Sequence, residues 1–122
     1  IQKGKNPSET KVLVMGITFK ENVADIRNSK VANLVYELQD YSVKVEVSDP
    51  LADPGEVARE YNLSLTQIPS NDYDAIVVAV AHDQYRDYDS AYFKSIMKRD
   101  PILMDIKGIY DIQDPEISLW RL

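Results

Sequence analysis

The sequence contains no cysteine and one histidine. Within these residues that excludes a disulfide framework, a thiolate metal site and a cysteine nucleophile, and it leaves a histidine-based zinc cluster short of ligands. Long hydrophobic runs are missing too. The longest, Ala75 to Ala81, is far shorter than the roughly 20 residues of a membrane-crossing helix, so no membrane span is expected. Basic tracts are absent, and a net charge of −6 repels a polyanion, which argues against nucleic acid as a partner. A small phosphorylated ligand remains open, because a few placed cations and backbone N–H groups hold one whatever the total charge. The polar residues 1–10 predict a linker rather than a secretory leader, and the cytoplasm is the expected compartment.

Glycine is also scarce, at four residues. Between the first apolar run, Lys11 to Met15, and the helical pattern that begins at Ser29, only Gly16 is present. The Gly-x-Gly-x-x-Gly fingerprint is therefore absent, and bulky Phe19 and Lys20 stand where a pyrophosphate would need bare backbone.

What is present is an ordinary globular composition. With 122 residues, 44% of them hydrophobic and 28% charged, one compact domain with its own core is expected. Lys11 to Met15 reads as a strand buried on both faces. Val31, Ala32, Leu34, Val35 and Leu38 recur at helical spacing behind Ser29 as N-cap. Val43, Val45 and Val47 alternate with polar residues, the pattern of a strand near a sheet edge. Leu51 to Gly55 reads as a loop, Glu56 to Tyr61 as a short helix, and Leu63 to Leu65 as a brief extended piece. Ala75 to Ala81 predicts a central strand, Ser90 to Lys98 a helix, Ile102 to Ile106 a strand, and 117–122 a last edge strand. Strands alternating with helices imply an α/β, Rossmann-like three-layer fold with a mostly parallel sheet.

In such a sheet ligands settle beyond the carboxyl ends of the strands. Gly16 to Asn28 lies there and is long for an α/β connection, which suggests a task. Lys20 can place its ammonium on a phosphate and Phe19 can stack on a ring; the alternative is that Phe19 plugs the core and Lys20 is a solvated cation. Lys107, after the strand ending at Ile106, is a second cation at the same edge, and two lysines from separate loops suit a diphosphate. Asp25 and Arg27 are placed to pair or to fix the loop backbone. Asp49 reads as a turn-forming Asp-Pro. His82, after the central strand, is either an acid–base group or a helix-start and packing residue.

Four blocks carry a resemblance: G-I-T-F-K-E-N-V-A-D-I-R-N-S-K-V from Gly16, V-S-D-P-L-A-D-P from Val47, Y-D-A-I-V-V-A-V-A-H-D from Tyr73 and D-I-K-G-I-Y from Asp105. Together they span nearly the whole chain. It resembles the C-terminal, UDP-binding domain of the UDP-glucose/GDP-mannose dehydrogenase family, in particular the branch that oxidises UDP-N-acetylhexosamines for bacterial surface polysaccharides. The resemblance implies a preceding NAD-binding domain with a catalytic cysteine, a helical dimerisation region, and two NAD-dependent oxidations of a sugar C6 alcohol through a thiohemiacetal and a thioester. It implies that residues 1–10 link to that preceding part and 11–122 form the UDP-binding domain, with NAD and catalysis outside this chain and a homodimer or larger assembly in the whole protein. Phe19 and Lys20 carry over to the uridine-diphosphate contacts, and Lys107 more loosely, since relatives often have arginine there. Asp25, Arg27 and Ser29 fall in the D-x-R-x-S element expected to shape the loop. A rival from another class is a stand-alone nucleotide-binding or regulatory module. A receiver-type signalling domain is set aside, because Gly16 and Thr18 stand where its acidic pair belongs.

Overall fold

The computed structural model describes residues 6–121. The expected linker over 1–10 lies partly outside them; within them, Pro7–Glu9 forms a 3-10 turn capped by Asn6, whose side chain accepts the Ser8 N–H. Five strands follow: β1 (Lys11–Met15), β2 (Lys44–Ser48), β3 (Tyr73–Val78), β4 (Met97–Asp105) and β5 (Ser118–Arg121). They form one sheet in the order β2-β1-β3-β4-β5, and every pairing is parallel. Three α-helices connect them: α1 (Lys30–Asp40), α2 (Pro54–Tyr61) and α3 (Ser90–Ile96). The fold is α/β and Rossmann-like, and the sheet is parallel throughout.

Alternation along the strands divides the core between two faces. Val12, Val14 and Val77 join Val35 of α1 and Val57 of α2 on one side. Leu13, Met15, Ile76, Val78 and Leu103 join Phe93 of α3 on the other. Leu13, Val14, Ile76 and Val78 are fully buried, which is why these segments read as unbroken apolar runs. Each such side chain contributes about 1.5–3 kcal/mol of burial. The alternating β2 is at the edge, as its sequence predicts, and Leu65 makes an isolated parallel bridge to Val47 that covers part of that edge.

Several boundaries differ from the sequence reading. The helix α2 begins at Pro54 rather than Glu56, because Asp53 caps it by accepting the Gly55 N–H and proline suits the first turn. α3 stops at Ile96 rather than Lys98, and β4 starts at once with Met97 rather than Ile102. Asp100, at φ 59°, and a register shift between Tyr73 and Ala75 absorb the extra residues. β3 ends at Val78, so Ala79 to Ala81 leave the sheet, and Ala79 and Val80 line the crevice instead. Ser29 occupies the N-cap of α1, yet its hydroxyl makes no capping bond.

Because β1 pairs with β2 on one side and β3 on the other, the chain turns in opposite directions from these neighbouring strands. That is the switch point where parallel sheets open a crevice at their carboxyl ends.

Candidate functional site

A cleft of ≈ 280 Å³ opens at this switch point, lined by Thr18, Phe19 and Lys20 from the loop after β1, Asn28, Lys30 and Val31 from the start of α1, Ala79 and Val80 after β3, and Lys107 after β4. The loop leaves β1 through Gly16 at φ 100°, where an added Cβ would sit 2.6 Å from the Val80 Cβ. Only glycine both turns there and lets the two loops meet.

Phe19 is 59% exposed, so it does not plug the core; it lines the cleft, and its backbone N–H donates to the Asp25 carbonyl. Lys20 and Lys107, expected at one crevice edge, do line the same cleft, and Lys30 joins them. Among the described residues no carboxylate lies within ion-pair distance of any of the three ammonium groups. Three unpaired cations against a single lining acid, Glu21, give this region a positive potential on a chain of net charge −6.

Two strand-end aspartates arrange the loops. Asp49, after β2, is buried and accepts the Ile17 N–H at 2.8 Å, the Thr18 N–H at 3.2 Å and the Leu51 N–H at 2.9 Å. His82 Nε2 lies 3.0 Å from the same carboxylate. Burial pushes the Asp49 carboxyl up, but the bonds from His82, Ile17 and Leu51 outweigh it and hold the group below its ordinary value. Asp105, at the end of β4, accepts the Ile109 N–H at 3.1 Å and the Tyr110 N–H at 2.8 Å, closing the turn that presents Lys107 and Gly108.

The residues expected to shape the loop lie further along it. Arg27 donates to Asp25 through its backbone N–H, Nε and Nη2 at 2.9–3.0 Å, a local clasp on the surface. The Arg27 guanidinium brings the Asp25 carboxyl down to about 2. Asp25 also accepts the Phe19 N–H through its carbonyl at 2.7 Å. Ser29 acts through its backbone, donating its N–H to Tyr61 Oη at 3.0 Å, while Tyr61 donates to the Ile26 carbonyl. The buried Ser29 hydroxyl has no partner among the described residues.

Of the two alternatives for His82, packing fits: it is 1% exposed at the start of a 3-10 turn (Asp83–Asp87) and does not line the cleft. Asp49 does more than turn the chain. Sequence reasoning missed its bonds to the loop, and it missed Lys30 and Asn28. A signal existed in the aspartate that follows β2 and the one that closes β4, since a buried carboxylate at a strand end serves to collect loop amides.

The same geometry tests a nicotinamide dinucleotide. In dinucleotide folds an acid after the second strand accepts ribose hydroxyls, but the Asp49 side chain has 0% exposure and its oxygens are engaged by amides and His82. With Phe19 and Lys20 in place of glycines, this chain's residues do not fit NAD. No group of three or more potential metal ligands lies together among the described residues, and no described helix is long and apolar enough to cross a membrane.

Residues 13–112 match the family described as UDP-glucose/GDP-mannose dehydrogenase family, UDP binding domain. The chain is 39% identical over 120 residues to a UDP-N-acetyl-D-glucosamine 6-dehydrogenase of Salmonella typhi, a match covering 98% of this chain and 28% of that protein. It is 36% identical over 110 residues to the Pseudomonas aeruginosa protein of the same name, covering 89% of this chain and 26% of the relative. A solved UDP-D-ManNAc dehydrogenase of Pyrococcus horikoshii shares the fold, with a TM-score of 0.77 at 22% identity over 95% of this chain and 26% of that one. The chain thus spans between 26% and 28% of the length of these proteins.

Proposed function

The chain belongs to the UDP-glucose/GDP-mannose dehydrogenase family, as its UDP binding domain, and from that premise we propose that the switch-point cleft receives the uridine diphosphate of a UDP-sugar. The convergence of Lys20, Lys30 and Lys107 on one cleft supports this reading best. A diphosphate brings two or more negative charges, and unpaired ammonium groups from three separate segments meet it from different directions. Phe19, held at the rim with most of its ring exposed, stacks on the uracil. Asn28 offers an amide to the sugar or phosphate oxygens. Asp25, Arg27 and Ser29 fix the far end of the loop.

In this reading the chain is the C-terminal domain of a nucleotide-sugar 6-dehydrogenase, with residues 1–10 as linker and 11–122 as the domain. The whole enzyme oxidises the C6 alcohol of a UDP-hexose, or of a UDP-N-acetylhexosamine as the names of its relatives suggest, to the uronic acid. It does so in the cytoplasm, for surface polysaccharide of a bacterium, as a homodimer or larger assembly. The NAD site and the cysteine nucleophile belong to the rest of the polypeptide. What this chain contributes is binding and orientation: it anchors the nucleotide so that the sugar projects toward the chemistry.

A titration of the isotopically labelled chain with UDP, followed by amide chemical shifts, tests the placement. Shifts should cluster at residues 17–22, 28–31 and 107–108. A cluster in the cleft at the opposite sheet end, around Lys98 and Arg99, or no shift at the switch-point cleft with UDP in large excess, defeats the assignment.

A further inference from the structure

The loop after β1 is tied to two other strand-end loops through one buried side chain, His82. The Asn22 backbone N–H points to His82 Nδ1 at 2.9 Å. An amide N–H only donates, so Nδ1 carries a lone pair and the ring proton sits on Nε2. That nitrogen lies 3.1 and 3.0 Å from the two Asp49 oxygens and donates to them. The neighbouring Asp83 N–H donates to Asn22 Oδ1 at 2.9 Å, so Asn22 and the His82-Asp83 pair grip each other across 60 residues of sequence. Asn22 sits at φ 62°, a left-handed conformation that asparagine tolerates.

The pattern of bonds along the loop is the informative feature. Asp49 holds the Ile17 and Thr18 amides, Thr18 Oγ1 donates to the Lys20 carbonyl at 2.9 Å, and His82 holds the Asn22 amide. Phe19 and Lys20 lie between these fixed points, with side chains out and backbone pinned on both sides. The pair thus reaches from the buried Ile17 and Thr18 amides at the start of the loop to the amide of the exposed Asn22 beyond Lys20.

We propose that the Asp49–His82 pair, with His82 as the neutral Nε2–H tautomer and Asn22 as its grip, is the positioning device that presets Phe19 and Lys20 for the ligand before it arrives. This rests on the reading of that loop as the nucleotide contact. Neither buried residue touches the ligand. They act by removing the loop's freedom in the unliganded state, so that binding orders less chain.

Two kinds of measurement decide it. In the isolated chain without ligand, the nitrogen shifts of the His82 ring should show protonated Nε2 and unprotonated Nδ1, and the Ile17, Thr18 and Asn22 amides should be protected from exchange. A ring protonated on Nδ1, or rapid exchange at Asn22, overturns the proposal. In the full polypeptide with UDP as probe, His82→Leu should weaken binding about tenfold or more, while His82→Gln, whose amide both accepts and donates, should stay within about threefold of the parent. If His82→Leu does not fold, Asn22→Gly decides: it keeps the left-handed backbone and the core, and should weaken UDP binding about threefold or more at an unchanged melting temperature. Unchanged UDP affinity in Asn22→Gly overturns the proposal. Should the parent itself bind no UDP, the nucleotide reading fails, and the tautomer and exchange data judge the positioning device separately.

Discussion

Lys20 stands at the cleft with no acidic partner in reach, and an ammonium left free at a cleft costs little stability to keep. In the full polypeptide, Lys20→Ala should raise the dissociation constant for the UDP-sugar by about 2 kcal/mol's worth, the range for a charge-assisted contact left unmade. The melting temperature should stay as it was, because the side chain is exposed and packs no core. Equal affinity for parent and variant in calorimetry would remove Lys20 from the ligand set. Asp49 makes the opposite case. Its carboxyl is buried, and although burial raises its pKa, hydrogen bonds from His82, Ile17 and Leu51 prevail and lower it. A carboxyl with a folded pKa below its unfolded value of 3.8 adds stability that is present above that value and lost as pH falls through the folded pKa. Asp49→Asn should therefore cost about 2 kcal/mol at pH 7, and the gap to the parent in urea melts should narrow as pH drops below 3.8. A gap that is constant with pH would mean that the charge of Asp49 contributes nothing.

At the scale of elements, the β1 exit decides whether the cleft exists. Gly16 combines a φ of 100° with a Cβ position 2.6 Å from Val80 Cβ and 3.1 Å from the Val80 backbone N. Val80 is buried and β-branched, so it has no free end to swing away. Gly16→Ala should cost about 2–4 kcal/mol through conformational strain and overpacking together, and should also push apart the two loops that carry Phe19 and Val80. Thermal denaturation and UDP titration of the same variant should both change. By contrast Gly108, at φ 67° with open space around its Cβ position, should lose only the smaller, conformational part on substitution by alanine.

At the scale of the whole molecule, the chain has a complete two-sided core and a cleft that is open on one side. It should fold alone, with a cooperative melt. With UDP it should show a dissociation constant no tighter than about 1 mM, because in the proposed reading the site is completed by other domains, and alone it leaves much of the ligand surface in water and much ordering still to be done. With NAD and UDP-sugars it should form no NADH, lacking both a thiol and a dinucleotide site. A micromolar constant for UDP in calorimetry would make it a binding module sufficient in itself.

The layered fold was legible in the sequence because its signals are local. Buried parallel strands must be apolar on both sides of the pleat, as in Lys11–Met15, and helices facing the sheet must repeat every three to four residues, as from Val31 to Leu38. Even the edge position of β2 followed from its valines alternating with charges. The scarcity of glycine excluded a fingerprint loop in the same local way, and Phe19 and Lys20 do line the cleft. Tertiary structure decided what depends on residues distant in sequence. Nothing local shows that β4 starts at Met97, because polar Lys98 to Asp100 fall in the register shift between the Tyr73–Met97 and Ala75–Ile102 pairs. Nor does anything near His82 announce Asn22 and Asp49 as its partners, 60 and 33 residues away. A side chain's composition and spacing fix which face it prefers, whereas the bonds a buried polar group finds are fixed only when strand order brings separate loop ends together.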